Sequence, residues 1–305
     1  MWLLYHKFDS LFWFYKYFPG QLASFTQVLN HATINTHQLK GINKMPPINN
    51  ETKLLALDLD GTLLNGPDVS EFTLEVIEKC RAQGHFIVVA TGRNKQFAQR
   101  IVDMVKPHGV SLSDGSCTYV AGQMVSNITI PQADCLKIVE MLTEHANISG
   151  VGMNSNIGYL QTVPFPEGMG IAQDLINATT VVPLLELVNY PAYDFWLEGR
   201  FANICEDIAK NFPSLHVVNY DGYSIIRPKV ADKWHGVETV AKALGVDAAN
   251  IIAFGDNVND VMTLTNSGIG VAMGNGTPEA KTAANYVCGS NKEDGVANWL
   301  VENLL

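Results

Sequence analysis

The chain has 305 residues, of which 47% are hydrophobic and 16% are charged, and its formal net charge is −10. This composition is typical of a soluble globular protein with one large or two medium domains, and it excludes a disordered chain. The excess of negative charge disfavours nucleic acid as a partner, because an acidic surface repels phosphates and releases no counterions on binding.

Residues 1–52 are predicted to be an extension and linker that can be disordered. The aromatic start MWLLYHKFDSLFWFYKYFPG is interrupted by charged residues, so no apolar run reaches the length of a membrane span and the segment makes a poor signal peptide. A helix lying on a membrane surface is the alternative. Because Met45 opens a stretch typical of an enzyme start, we expect residues 1–44 to be dispensable or an over-long start.

The five cysteines are widely spaced and form no Cys-x-x-Cys pair. This pattern argues against a disulfide framework and against a zinc site, and it favours a reducing compartment. We therefore expect a cytoplasmic protein. Separately, the protein is expected to be a monomer or a homodimer, and association with a membrane is not expected.

Strands and helices alternate from residue 54 onward. LLALDLD and HFIVVAT are predicted to be buried strands, because they are short apolar runs that end in turns. The helix between them is predicted to begin after the N-cap Ser70 and to bury four side chains: Phe72, Val76, Ile77 and Cys80. A second helix follows HFIVVAT, and the alternation returns after Lys233. This rhythm predicts an α/β fold with a Rossmann-like parallel sheet covered by helices.

The middle of the chain has a different pattern. Here a clear helix, DCLKIVEMLTEHAN, lies among short strand-like runs such as YVAGQMVSNITI and YDFWLEGRF. We interpret this part as an inserted α+β domain. The predicted organisation is a core of residues 53–117 and 223–305 with an insert of residues 118–222.

Two aspartates end the first predicted strand. If the strand continues through Asp58 and Asp60, both carboxylates point into the crevice at its carboxyl end, where open α/β sheets bind ligands. Such close carboxylates repel each other, and a divalent cation that prefers oxygen ligands, such as Mg²⁺, is the simplest relief. Taken alone, the motif is more often a turn that terminates a strand.

Three further polar clusters occur at predicted strand ends or helix starts. TGR (91–93) combines a hydroxyl with a flexible N–H before a helix, which suits an anion. Lys233 opens a later helix, and GDNVND (255–260) follows a strand. Each signal is weak by itself, and the order in which they occur together is what points to a phosphate and metal site.

The four motifs DLDGT, TGR, Lys233 and GDNVND resemble those of the haloacid dehalogenase (HAD) superfamily, specifically Cof-type phosphatases with a C2 cap. The resemblance covers residues 53–305, and the insert falls where that family places its cap. Two features depart from the family pattern. Lys-Gly is replaced by Lys233-Trp234-His235-Gly236, and Ser-Asn-Gly is replaced by a sequence with Asp114 at its centre.

The resemblance implies a mechanism and a metal. Asp58 would be the nucleophile that forms an aspartyl-phosphate, and Asp60 would act first as general acid and then as general base. Mg²⁺ would be held by the carboxylates of Asp58 and Asp256 and by the backbone carbonyl of Asp60, with Asp260 outside or bridged by water.

The resemblance also implies which groups contact the substrate. The phosphoryl oxygens would be held by Thr91, Gly92, Lys233 and Asn259. Candidates for contacts in the cap are Tyr159, Phe195, Trp196 and Arg200, although packing within the cap itself explains such residues more often. His235 is ambiguous for the same reason.

The implied activity is a Mg²⁺-dependent phosphatase acting on a small phosphorylated metabolite, such as a sugar phosphate or pyridoxal phosphate. One alternative is a phosphomutase or phosphotransferase with the same core, which would pass the phosphoryl group to a sugar instead of water. Another is a non-catalytic binding module, although the complete set of motifs argues against it.

Overall fold

A computed structural model describes residues 52–144, 150–165, 176, 179–199, 202–219 and 222–305. The predicted extension and linker, except for Thr52, and the candidate contact Arg200 lie outside these residues. Among the described residues, no helix combines the length and the apolar character needed to cross a bilayer.

The described residues form two sheets and the helices that cover them. The strands are β1 (Leu54–Leu57), β2 (Phe86–Ala90), β3 (Gly109–Leu112), β4 (Cys117–Val120), β5 (Gln123–Asn127), β6 (Gly150–Ser155), β7 (Gly158–Gln161), β8 (Thr180–Val181), β9 (Ala192–Glu198), β10 (Leu215–Asn219), β11 (Tyr223–Pro228), β12 (Ile251–Gly255), β13 (Ile269–Ala272) and β14 (Tyr286–Val287). The α-helices are α1 (Glu71–Ala82), α2 (Lys95–Val105), α3 (Gln132–Thr143), α4 (Ala202–Asn211), α5 (Lys233–Leu244), α6 (Val261–Asn266), α7 (Pro278–Ala283) and α8 (Gly295–Asn303). Short 3₁₀ helices lie at Leu184–Asn189, Ala248–Asn250, Val258–Asp260 and Asn291–Glu293.

The first sheet has the strand order β14-β13-β12-β1-β2-β3-β4-β5. The strands from β14 to β3 are parallel, and β4 and β5 extend one edge in antiparallel fashion. Every residue of β1, β2 and β12 is buried, as expected of parallel strands covered on both faces. The predicted Rossmann-like core is confirmed, and the carboxyl ends of its central strands meet at one edge.

Alternate residues of the central strands feed two hydrophobic cores. Leu55 and Leu57 of β1 belong to the cluster that includes Ile77 of α1 and Trp299 of α8. Their neighbour Leu54 belongs to the opposite cluster, which includes residues of α5 and α6. The period of two along a strand thus divides one apolar run between both faces, which places β1 in the middle of the molecule.

The second sheet has the order β10-β11-β9-β6-β7-β8 and is antiparallel apart from the short β7–β8 pair. One of its faces is apolar and packs on α3 and α4 through residues such as Met153, Phe195 and Ile208. The other face carries polar and aromatic side chains. This sheet with its helices is the inserted α+β cap.

Strand pairing places the borders of the insert at residues other than those predicted. β5 and the residues of β4 after Cys117 fall inside the predicted insert 118–222, but β4 pairs with β3 and β5 pairs with β4, so both strands belong to the core sheet. β11 falls inside the predicted core, but it pairs with β9 and β10 in the second sheet. The sequence pattern marks these segments as strands, but only their hydrogen-bond partners decide which sheet they join.

Helix α1 matches its sequence signals with one exception. The Ser70 hydroxyl caps the helix by accepting a hydrogen bond from the Thr73 N–H at 3.0 Å. Val76, Ile77 and Cys80 are buried as predicted. Phe72 is 40% exposed, which is consistent with its place in the first turn, where side chains tilt toward the helix start.

Two phenylalanines provide a matched test of this packing. We expect Phe195→Ala, in the fully buried face of the second sheet, to lower the free energy of unfolding by about 3–5 kcal/mol, because it removes a whole ring from a packed core. Phe72→Ala deletes the same ring from an exposed site and should change it by less than about 0.5 kcal/mol. Urea denaturation of both variants measures the difference. Equal losses would contradict the assigned burial.

Candidate active site

Asp58 lies directly after β1 and remains within the sheet. Its N–H donates to the Phe254 carbonyl of β12 at 3.2 Å, and the residue is 4% exposed. The chain then leaves the sheet through the irregular turn Leu59–Leu63. Gly61 has a φ of +80°, and an added Cβ would overlap the Asp256 carboxylate. Glycine is therefore required by the backbone and by the neighbouring aspartate.

Asp60 has a different environment from Asp58. Its side chain is 60% exposed and accepts two hydrogen bonds from Arg93, at 2.5 Å from Nη2 and 2.7 Å from Nε. The expectation that the strand would continue through both aspartates was wrong, because β1 ends at Leu57. Both residues still line one pocket, but the turn separates a buried carboxylate from an exposed one.

Lys233 is the first residue of α5 and is 3% exposed. Its ammonium lies 2.6 Å from Asp58 Oδ1 and 2.6 Å from Asp260 Oδ1. The preceding Asp232 caps the helix by accepting from the His235 N–H at 2.7 Å. The helix start therefore fixes this lysine beside Asp58 even though Trp234 and His235 depart from the family pattern. The His235 side chain is not part of the pocket lining.

Asp260 acts as a hub for backbone and side-chain donors. Its Oδ2 accepts the N–H groups of Asp256 and Asn257 at 3.0 and 2.9 Å, while Oδ1 binds Lys233. Asp58, Asp256 and Asp260 can each present a carboxylate oxygen within 4.8 Å of the others. Among the described residues this is a cluster that could hold a metal ion, and its members come from the ends of β1 and β12. The Asp60 carboxylate is not part of it.

Burial and the neighbouring charges shift the pKa values of the groups in this cluster. Burial raises the pKa of Asp58 well above its usual value, and the Lys233 ammonium offsets only part of that effect. Burial, followed by the charge of Asp260, also raises the pKa of Asp256. Burial alone would lower the pKa of Lys233, but Asp260 and Asp58 outweigh it and the pKa is raised. The lysine stays cationic, and the three carboxylates of the cluster outnumber it.

The TGR segment forms the wall beside Asp58. Thr91 follows β2 and is 1% exposed, and its hydroxyl oxygen accepts from the Arg93 N–H at 3.1 Å. The hydroxyl proton is therefore available to an acceptor in the pocket. Gly92 lines the pocket as well, and the Asn94 side chain caps α2 by accepting from the Phe97 N–H at 2.9 Å.

Asp114, which stands where the family pattern has asparagine, has two polar partners. Asn259 donates to Asp114 Oδ1 at 3.0 Å, and Arg227 of β11 lies 3.4 Å from Oδ2. Asp114 itself is not among the residues that line the pocket, whereas Asn259 is. Its charge therefore orients Asn259 and links the core to the second sheet.

These groups surround a pocket of about 750 Å³ between the core and the second sheet. The sequence-predicted site residues that line it are Asp58, Asp60, Thr91, Gly92, Lys233, Asp256 and Asn259. Asp260 lies behind them. Motifs separated by long stretches of sequence thus converge on one pocket.

The cap candidates divide between the pocket and the cap core. Tyr159 and Trp196 line the pocket, whereas Phe195 points to the apolar face and is fully buried. Sequence reasoning missed three further pocket aromatics: Phe97, Phe165 and Tyr223. The alternation between Phe195 and Trp196 signals opposite faces, but it does not reveal which face meets the active site.

A buried polar chain connects the core to the cap, and it was not predicted. Asn94 donates to Asn154 Oδ1 at 2.7 Å, and the Asn154 amide donates to both oxygens of Asp194 at 2.9 Å. Trp196 donates its Nε1–H to Asp194 at 2.8 Å. Burial raises the pKa of Asp194 to about 6, while hydrogen bonds from Asn154 lower it. The position of Asn94 directly after the TGR motif is the feature of the sequence that could have pointed to this polar chain.

Two bacterial phosphatases are similar to this chain in sequence. The pyridoxal phosphate phosphatase YbhA of Escherichia coli is 28% identical over 295 residues, which cover 83% of this chain and 99% of that protein. The 5-amino-6-(5-phospho-D-ribitylamino)uracil phosphatase YitU of Bacillus subtilis is 29% identical over 284 residues, which cover 83% of this chain and 98% of that protein.

Solved structures resemble the fold. A HAD subclass IIB sugar phosphatase superposes with a TM-score of 0.72 at 22% identity, covering 82% of this chain and 98% of its own. A HAD phosphatase from Bacteroides thetaiotaomicron gives a TM-score of 0.71 at 24% identity, covering 86% and 98%. The family profile of haloacid dehalogenase-like hydrolases matches residues 55–300. Since that match spans most of the sequence, the chain belongs to the haloacid dehalogenase-like hydrolase family.

Proposed function

We propose that this chain is a Mg²⁺-dependent phosphatase that hydrolyses small phosphorylated metabolites through an aspartyl-phosphate on Asp58. The observation that carries the proposal is the buried Lys233 ammonium, 2.6 Å from the carboxylates of Asp58 and Asp260. An anionic nucleophile and a phosphate monoester repel each other, and a fixed cation offsets that repulsion. Relatives named as phosphatases of pyridoxal phosphate and of a phosphorylated uracil support the class of substrate.

The acidic cluster has the chemistry of a Mg²⁺ site. Its three carboxylates offer only oxygen atoms, which this hard cation prefers. Three carboxylates and one ammonium, if all are ionised, sum to −3 + 1 = −2, which a divalent cation would neutralise. Asp58 and Asp256 would bind the ion with the Asp60 carbonyl, while Asp260, already occupied by Lys233, would orient them. When bound, Mg²⁺ would stabilise negative charge on the phosphoryl oxygens.

In the first step, a carboxylate oxygen of Asp58 attacks phosphorus and the bond between phosphorus and the ester oxygen breaks. Asp60 gives its proton to that oxygen, so the product leaves as a neutral alcohol. Four groups would hold the phosphoryl oxygens: the Thr91 hydroxyl, the Gly92 N–H, the Lys233 ammonium and the Asn259 amide.

In the second step, Asp60 takes a proton from water while the water oxygen attacks phosphorus. The bond from phosphorus to Asp58 breaks, which releases phosphate and restores the nucleophile. Arg93 pairs with the Asp60 side chain and would hold it in place beside the reacting phosphorus.

Replacement of the nucleophile tests the first step. We expect Asp58→Asn to lower kcat by at least about a thousandfold, because an amide cannot form the phosphoryl-enzyme. Mass spectrometry after acid quenching should detect one added phosphoryl group on the unaltered enzyme and none on the variant. Near-normal turnover by a purified Asp58→Asn enzyme would overturn the assignment.

The role of Asp60 is tested with two leaving groups. Asp60→Asn should lower kcat/KM for an alkyl phosphate by about 10²–10⁴, because an alkoxide needs a proton when it leaves. The loss should be much smaller for p-nitrophenyl phosphate, whose phenolate leaves unprotonated. Equal losses for both esters would exclude Asp60 as the acid.

Metal dependence is tested by removing divalent ions. Treatment with EDTA followed by desalting should abolish phosphate release, because the acidic cluster then lacks its counter-charge. Addition of Mg²⁺ should restore the activity. Asp256→Asn should raise the Mg²⁺ concentration needed for half-maximal activity and weaken Mg²⁺ binding in calorimetry. Unchanged activity after metal removal would contradict the proposed cofactor.

A further inference from the structure

Beyond the phosphate site, the pocket is lined by aromatic rings. Tyr159 stacks on Phe165 with centroids 5.8 Å apart and an interplanar angle of 5°, and Phe97 packs against Tyr159 at 5.7 Å. Trp196 stacks on Tyr223 at 5.4 Å and 12°. All five rings line the same pocket as Asp58 and Lys233, so they lie where the leaving group of a bound monoester would extend.

Strand register explains how these rings share one face. Trp196 of β9 is paired with Gly152 of β6, and an added Cβ at Gly152 would overlap the Tyr159 hydroxyl. The Tyr159 ring therefore lies across the glycine, next to Trp196. The absence of a side chain at this one position makes the aromatic wall continuous.

Two polar side chains on this wall, those of Asn154 and Trp196, are already engaged with neighbours. The Asn154 amide donates to Asp194 and its oxygen accepts from Asn94. The indole N–H of Trp196 also donates to Asp194. A site for a polyol must offer hydrogen bonds to several hydroxyl groups, because each buried hydroxyl without a partner weakens binding. Here the described part of the wall presents mainly ring faces instead.

We propose that the preferred leaving group is an alcohol carried on a planar aromatic or heteroaromatic ring, which stacks against Tyr159 and Trp196, and that polyol phosphates are poor substrates. The inference rests on the proposed phosphatase function. The pocket of about 750 Å³ is within the range of drug-sized ligand sites, which leaves room for a ring beyond the phosphate. Asp194 is a positioning residue, since it holds the Trp196 indole in place.

Matched esters separate ring recognition from chemistry. Benzyl phosphate and cyclohexylmethyl phosphate both release a primary alcohol of similar size, but only the first is aromatic. We expect kcat/KM to be about three- to tenfold higher for benzyl phosphate, which corresponds to one stacking contact. Pyridoxal phosphate should exceed ribitol phosphate by at least about tenfold. Acetyl phosphate, which has no ring, reports on the phosphoryl chemistry alone.

Two variants assign the preference to the wall. Trp196→Ala should reduce the ratio of kcat/KM for benzyl over cyclohexylmethyl phosphate toward one, and Trp196→Phe should retain part of it. Gly152→Ala should also reduce the ratio, because the added methyl group overlaps the hydroxyl and ring carbons of Tyr159 and displaces that ring. Phe72→Ala removes an exposed ring outside the pocket and should leave the ratio unchanged.

The outcomes distinguish this inference from the function on which it rests. If no ester is hydrolysed with Mg²⁺, including acetyl phosphate, both the proposed function and this inference fail. If phosphate is released but ribitol phosphate is the better substrate, only the inference fails. It also fails if Trp196→Ala and Gly152→Ala lower the activity toward benzyl and cyclohexylmethyl phosphate by the same factor.

Discussion

The rest of the structure depends on one buried interaction, in which the Lys233 ammonium lies between the carboxylates of Asp58 and Asp260. Burial of an unpaired charge is costly, so the three groups are stable only together. They come from the end of β1, the start of α5 and the turn after β12. Their convergence requires that α5 begin at Lys233, and Asp232 and Gly236 fit that requirement. Asp232 caps the helix, and a Cβ at Gly236 would overlap the Ser111 hydroxyl.

The same cluster relates the fold to the proposed chemistry. A parallel sheet places the carboxyl ends of its strands at one edge, which brings acidic residues closer than their charges alone would favour. One lysine faces three carboxylates, and burial together with the neighbouring Asp260 raises the pKa of Asp58. A divalent cation and a phosphoryl group would complete this arrangement, since the first neutralises the carboxylates and the second is held by the lysine.

The second sheet uses the strand period of two for two purposes. Met153 and Phe195 face α3 and α4 and build the cap core. Their neighbours Asn154 and Trp196 face the pocket. The reacting groups therefore belong to the core and most of the leaving-group wall belongs to the cap. Contacts such as that of Asn94 with Asn154 connect the core and the cap. Because the nucleophile belongs to the core, substitutions in the cap can change which substrate is preferred without moving it.

The sequence by itself determined the parallel core, the existence of an inserted α+β segment and the motifs that hold Asp58, Lys233 and Asp256. These features follow from local periodicity and from residue types that form a recognisable set. Only the tertiary structure decided which sheet β4, β5 and β11 join, because strand pairing depends on distant partners. It also decided that Asp60 pairs with Arg93 outside the sheet, that Asp114 is offset by Arg227, and that Trp196 and not Phe195 faces the pocket. These outcomes depend on which segments of the folded chain come into contact, and the periodicity of a sequence does not indicate which distant segments those are.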